Sequence, residues 1–277
     1  MFVRRPDDAE AIRKEIAKRG PFSDAVEVLT GTMRGLERDE LLRKPVLQRF
    51  LDGDEKPEDR SSKSPAVLVS TSAGEVGFDL NADHLVCDAA PLDSMIQRLG
   101  RVNRRGYGTA IVRVFAEKPG EKGKGASEKN RPTFESVAAI RCLEMLDRSD
   151  GFLDGSPKAI DALKARLTKG QLFAASAPKP ATVELTDILL DAWSMTTITK
   201  PMPGRPPVAA WLRGLDADKP QTAIAWRAEL DLEGFDQLDV DDIEEWFDAH
   251  RILAHETLSV PTSKASEWIQ ERWKSLP

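Results

Sequence analysis

Two short segments carry residue types suited to chemistry on phosphates. The first is Thr71-Ser72-Ala73-Gly74-Glu75-Val76-Gly77-Phe78-Asp79; the second is Gln97-Arg98-Leu99-Gly100-Arg101-Val102-Asn103-Arg104-Arg105-Gly106. The first reads as a small-residue turn behind an apolar run. There glycine lets backbone N–H groups approach a phosphate, and an aspartate reaches a ribose hydroxyl. In the second, Gln97, Arg101 and Arg104 stand at i, i+4 and i+7, which is one face of a helix. Guanidiniums so aligned clamp a phosphate chain through paired donors. Arg98 and Arg105 point elsewhere, towards backbone or carboxylates.

The surrounding periodicities supply elements to hold these segments. Ala66–Val69 reads as a strand leading into the first segment, and Asp93 to about Arg101 as a helix carrying the second. Pro6 to Arg19 has apolar residues at helical spacing behind a proline and two aspartates, a good helix entry. Strands are expected at 25–29, 84–87 and 110–115, and a helix at 37–51 disturbed by Pro45. Strand–helix alternation of this kind argues for an α/β fold with a parallel sheet and helices on its faces.

Further along, the charged stretch 52–65 reads as a solvated loop, and 117–132, rich in Gly, Lys and Glu, as a linker. Helices are expected at 133–147 and 157–167. The natural cut gives residues 1–116, a linker at 117–132, and a smaller, mostly helical C-terminal region at 133–277. All six tryptophans lie at or after Trp193; they read as core of that region sooner than as bases' stacking partners. The acidic run Asp231–Asp248 reads as the solvated face of a folded unit.

Composition limits the function classes. The 277 residues hold 40 Lys and Arg against 46 Asp and Glu, a net charge of -6, so any nucleic-acid contact must come from a local patch. Cys87 and Cys142 lie in apolar segments and offer no disulfide framework. No apolar run approaches the ~20 residues of a membrane helix, and the first residues lack a leader's apolar stretch, so the expected location is cytoplasmic, with no membrane partner. The histidines His84, His250 and His255 have no zinc spacing, and no metal site is expected.

In order and spacing, the two segments resemble motifs V and VI of superfamily 2 helicases, and Met1 to Ala116 resembles their second RecA-like lobe. Phe2-Val3-Arg4-Arg5 stands where the family has motif IV, and Leu29-Thr30-Gly31-Thr32-Met33-Arg34-Gly35-Leu36-Glu37-Arg38 is similar to its strand-turn-helix. The wording of both motifs is similar to the CRISPR-associated helicase–nuclease of type I systems. Trp193-Ser194-Met195-Thr196-Thr197, Trp211-Leu212-Arg213-Gly214 and Trp226-Arg227 resemble its type I-U (I-G) variant.

The resemblance implies a motor in which ATP with Mg²⁺ binds between two lobes. Arg101 and Arg104 would be arginine fingers with Gln97 near the γ-phosphate. Gly77 and Asp79 would touch the nucleotide, while Thr71, Thr30, Gly31 and Arg34 would hold single-stranded DNA by its phosphates. The implied partners are single-stranded DNA, bound weakly by this lobe alone, a first RecA-like lobe, and a CRISPR interference complex. The phosphate loop, the acidic pair and the nuclease's His-Asp dipeptide are not in the sequence, so the chain is expected to be the C-terminal part of a helicase and inactive in isolation. Two other readings stay open: a lobe of another superfamily 2 helicase in repair or RNA remodelling, and a non-catalytic module that binds nucleic acid or a partner.

Overall fold

The computed structural model describes residues 1–51, 64–116, 134–146, 154–179, 184–200, 202–208, 211, 220–226 and 239–274. The linker 117–132, the loop residues 52–63 and the acidic residues 231–238 lie outside the described residues.

Helix α1 (Pro6–Ala17) starts where proline needs no N–H partner and places Asp7 and Asp8 at its positive end. Strand β1 (Val26–Leu29) pairs in parallel with β2 (Val67–Ser70). Between them the expected helix at 37–51 is two, α2 (Gly35–Arg43) and α3 (Pro45–Leu51). Lys44, directly before Pro45, is extended with ψ 134°, because the proline ring crowds a helical conformation at the residue ahead of it. Strand β3 (Leu85–Asp88) pairs in parallel with β4 (Val112–Phe115), and helix α4 (Leu92–Leu99) lies between them.

Phe2 joins the two pairs. It bridges Ser70 of β2 and Cys87 of β3, both in parallel, so the order across the sheet is β1, β2, the chain start, β3, β4. Its N–H donates to the Val86 carbonyl at 2.9 Å, and the Val3 N–H to Ser70 at 2.8 Å. This is the parallel α/β sheet that the alternating pattern implied. One face, at Val3, Val26 and Val69, is covered by α1 through Ala9, Ile12 and Ile16. On the other, Leu29 and Leu68 meet Leu41 of α2 and Leu47 of α3, while Phe2, Leu85 and Cys87 meet Leu92 and Met95 of α4.

Two later helices join that second cluster. Cys142 of α5 (Phe134–Leu146) and Ala175 of α7 (Lys169–Ala175) are buried with Phe2 and Cys87. Helix α6 (Pro157–Arg166) is capped by Ser156, whose hydroxyl accepts the Ala159 N–H. The remainder comprises α8 (Asp187–Ser194), β5 (Gln221–Ala225), α9 (Val240–Ala249), β6 (Thr257–Pro261) and α10 (Thr262–Lys274). β5 and β6 form a two-stranded sheet that the sequence pattern did not signal. The expected solvated acidic face is carried by α9, on which Asp242, Glu245 and Asp248 are exposed. The chain forms two compact units, residues 1–177 with 223–260, and residues 178–222 with 261–277. No helix among the described residues is long and apolar enough to cross a membrane.

The tryptophans depart from expectation. None of the six is buried, and Trp226, Trp268 and Trp273 are exposed. An indole N–H needs an acceptor, and two of these rings find one at a backbone carbonyl. Trp193 donates to the Pro206 carbonyl at 2.8 Å and Trp211 to Glu184 at 3.1 Å, their rings meeting edge-to-face at 5.1 Å.

Candidate functional site

The first segment leaves β2 through a short 3₁₀ turn, Ser72–Gly74, entered from Thr71. Gly74 is required there: a Cβ would stand 2.5 Å from Ser70 Oγ and 3.2 Å from the Phe2 ring. The Ser70 hydroxyl cannot yield cheaply, since it stands 2.9 Å from both the Leu29 and Thr71 carbonyl oxygens and shares its one proton between them. Gly77 turns the chain at φ +91°, a conformation that favours glycine, with open space where a side chain would be. Asp79 follows, exposed.

The second segment does not continue as a helix. α4 ends at Leu99 with Gly100 as its cap, so Arg101 and Arg104 lie beyond it and share no helical face with Gln97. Tight bonds from Arg101 N–H to Arg98 and from Val102 N–H to Leu99 close the last turn, and Asn103 takes the left-handed conformation at φ 45°. Val102 then pairs in parallel with Ala82. That bridge ties the stretch entering β4 to the stretch entering β3, and it brings the arginines to Asp79. The Arg104 guanidinium pairs with the Asp79 carboxylate, and Arg101 Nη1 lies 3.9 Å from the same oxygen. The Arg104 N–H donates to Asn81 Oδ1 at 3.1 Å. Gln97 is exposed on α4.

Glu75 is the residue that motif reasoning passed over. Its carboxylate accepts from Arg98 Nε at 2.8 Å, with the two side chains 8% and 6% exposed. Arg98 also donates to the Asp88 carbonyl at 2.9 Å, and its guanidinium lies 5.3 Å from the Phe2 ring centroid. The main-chain carbonyl of Glu75 accepts from Arg101 Nε at 3.2 Å and Nη2 at 2.5 Å. One residue of the first segment thus holds two arginines of the second, one by its side chain and one by its backbone. An acidic residue four positions before Asp79 was the only signal available in the sequence.

The remaining predicted residues lie at the carboxyl ends of β1 and β2. Thr30 and Thr71 are buried, with the Thr30 hydroxyl 3.1 Å from that of Thr32 and the Thr71 N–H donating to Leu29 at 3.1 Å. Gly31 and Thr32 are exposed, so their backbone is the open part of that loop. Arg34 opens α2, where Glu37 accepts from both its N–H at 2.9 Å and its Nε at 3.1 Å. It also donates to the Trp226 carbonyl and stacks 4.1 Å from the centre of that indole.

Chemically, Arg101 and Arg104 flank an open glycine turn with one exposed carboxylate between them. The two guanidiniums suit the phosphates of a nucleotide, and Asp79 is the carboxylate they hold between them.

Residues 2–107 match the family model for the C-terminal part of the CRISPR-associated nuclease/helicase Cas3. A Cas3 of Haloferax volcanii is 41% identical over 76 residues, spanning 26% of this chain and 8% of that protein. A second, from Myxococcus xanthus, described as a CRISPR-associated nuclease/helicase Cas3, is 56% identical over 40 residues, 14% of this chain and 5% of its own. The chain therefore matches only a small part of these relatives' length. Among solved structures, T. fusca Cas3 aligns with 58% of this chain and 19% of its own at 20% identity and a TM-score of 0.42. Over residues 2–107, then, the chain is similar to the C-terminal part of the Cas3 nuclease/helicases.

Proposed function

We propose that this chain supplies the second RecA-like lobe of an ATP-driven DNA translocase working in the cytoplasm in type I CRISPR interference, a form of antiviral defence. On this reading it shares its ATP site with a first lobe, acts on single-stranded DNA, and meets a CRISPR interference complex. The wording around Trp193, Trp211 and Trp226 points to the I-U (I-G) variant. The observation that carries the proposal is the meeting of Asp79 with Arg101 and Arg104, two segments apart in sequence. A scaffold needs no pair of guanidiniums, Arg101 at 16% exposure and Arg104 at 39%, beside an open glycine turn.

ATP and Mg²⁺ would supply the phosphoryl group and its charge-neutralising metal. This chain's own residues orient and neutralise. Arg101, held at its Nε and Nη2 by Glu75, keeps Nη1 for a phosphate oxygen. Arg104 exchanges Asp79 for the phosphates. Gly77 admits the nucleotide where a side chain would block it, and Gln97 approaches from α4. The backbone around Gly31 and Thr32, with Thr30 and Thr71 behind it, receives the strand's phosphates.

The test is to combine the chain with a cognate first lobe and measure DNA-stimulated ATP hydrolysis. The isolated chain is expected to show negligible turnover, because fingers accelerate only a nucleotide already positioned. Robust hydrolysis by the isolated chain, abolished by Arg101→Ala, would overturn the shared-site reading.

A further inference from the structure

Trp226 follows β5, far along the chain from the β1–α2 loop, yet it is seated on the loop's last residue. The Arg34 guanidinium lies over the indole at 4.1 Å and also donates to the Trp226 carbonyl, while Glu37 holds Nε from the other side. The Arg34 side chain is left only 12% exposed. Close by, residues 254–256 pack on the start of α2, where a Cβ on Gly35 would stand 3.0 Å from His255 Cβ. This seating is built from a stack, a charge-assisted hydrogen bond and close backbone packing. Trp226 nevertheless keeps 41% of its surface open.

Arg34 is therefore poorly placed to hold a phosphate itself, and well placed to hold an aromatic ring rigid. We propose that Trp226 is a base-stacking residue of the strand site, with Arg34 as the residue that positions it. The proposal rests on the reading of the 30–34 loop as a contact for single-stranded DNA. Gly31 lies three residues from Arg34, so at most about 11 Å of backbone separates them. The exposed backbone at Gly31 and Thr32 can take a phosphate while the neighbouring base lies on the indole. Every base has a π-face, so the stack adds affinity without reading sequence. Ordering costs little, because the cation–π contact and the hydrogen bond already fix the ring.

The experiment is a titration of labelled single-stranded DNA with the full chain at low salt, where weak binding is measurable. Trp226→Ala should weaken binding about tenfold, with Trp226→Phe in between. An abasic strand of equal length should bind wild type as weakly as the intact strand binds Trp226→Ala, and should be insensitive to the substitution. The abasic arm uses unaltered protein, so it stands even where the alanine variant folds poorly. Unchanged or tighter binding by Trp226→Ala, with loss on Gly31→Glu, would overturn the stacking role and leave the strand-site reading intact. Failure of wild type to bind at all would remove that reading and the stacking role together.

Discussion

Arg98 and Arg104 are six residues apart, and each pairs with a carboxylate from the turn after β2. Arg98 with Glu75 is almost wholly enclosed, at 6% and 8% exposure, whereas Arg104 and Asp79 are 39% and 81% exposed. Solvent makes the two pairs different devices. Breaking an enclosed pair strands a charge away from water, so it is costly to undo. An exposed pair is screened and worth little, so its arginine is released cheaply to a better anion. A residue that must exchange partners during a reaction belongs to the second kind. The enclosed pair is the frame that holds it.

Removing either arginine that reaches Asp79 should therefore hit catalysis, and removing the more exposed Arg104 should spare the fold. In the enzyme reconstituted with a first lobe, Arg104→Ala or Arg101→Ala is expected to lower turnover roughly 10³-fold, measured as ATP hydrolysis at saturating DNA. Normal hydrolysis by both variants would abolish the division of labour.

Removing the enclosed arginine should do the reverse. Arg98→Ala leaves Glu75 buried without its partner and is expected to destabilise the isolated chain by about 3–5 kcal/mol in urea unfolding. Gly74→Ala pushes a Cβ against Ser70 and the Phe2 ring beside the same frame, at an expected cost of about 1–3 kcal/mol.

The cysteines report how dry that side of the sheet is. Burial pushes the Cys142 thiol up to about 12 and raises that of Cys87. The native fold thus keeps protons that the unfolded chain releases at the ordinary thiol range. That contribution is fully present below the unfolded value, and stability should fall as pH rises from there towards about 12. An alkylating reagent at neutral pH should label neither thiol until the chain unfolds. Prompt labelling would show that the frame is wetter than its burial implies.

The smallest effect is expected at the exposed carboxylate. Asp79→Asn should change stability by less than about 1 kcal/mol. It should also tighten binding of inorganic pyrophosphate, because Arg104 no longer starts from a paired state. Isothermal titration of both chains with pyrophosphate compares them directly, and weaker binding by the variant would mean that Asp79 orients the arginines more than it occupies them.

Much of the lobe was legible before any coordinates. Strands covered on both faces read as continuous apolar runs, which is why Val26–Leu29, Val67–Ser70 and Leu85–Asp88 lie within a residue or two of their expected places. Pro45 announced the break between α2 and α3. Phe2, by contrast, gave no strand signal, because its place in the sheet rests on bridges to Ser70 and Cys87 and not on a run of its own. The exposure of the tryptophans was equally hidden. Composition shows how much apolar surface a ring offers and nothing of which seam holds its N–H.

The sequence by itself determined the order of the strands along the chain, the two segments rich in residue types suited to phosphates, and the glycines those turns require. These depend on local sterics and on periodicity, which neighbours in sequence decide. Only the tertiary structure decided which arginine is enclosed and which is open. At helical spacing Gln97, Arg101 and Arg104 share a face; the helix in fact stops at Leu99, and the Ala82–Val102 bridge delivers the last two to Asp79. Burial and pairing of charge depend on residues distant in sequence, and so does the indole that Trp226 lays against Arg34.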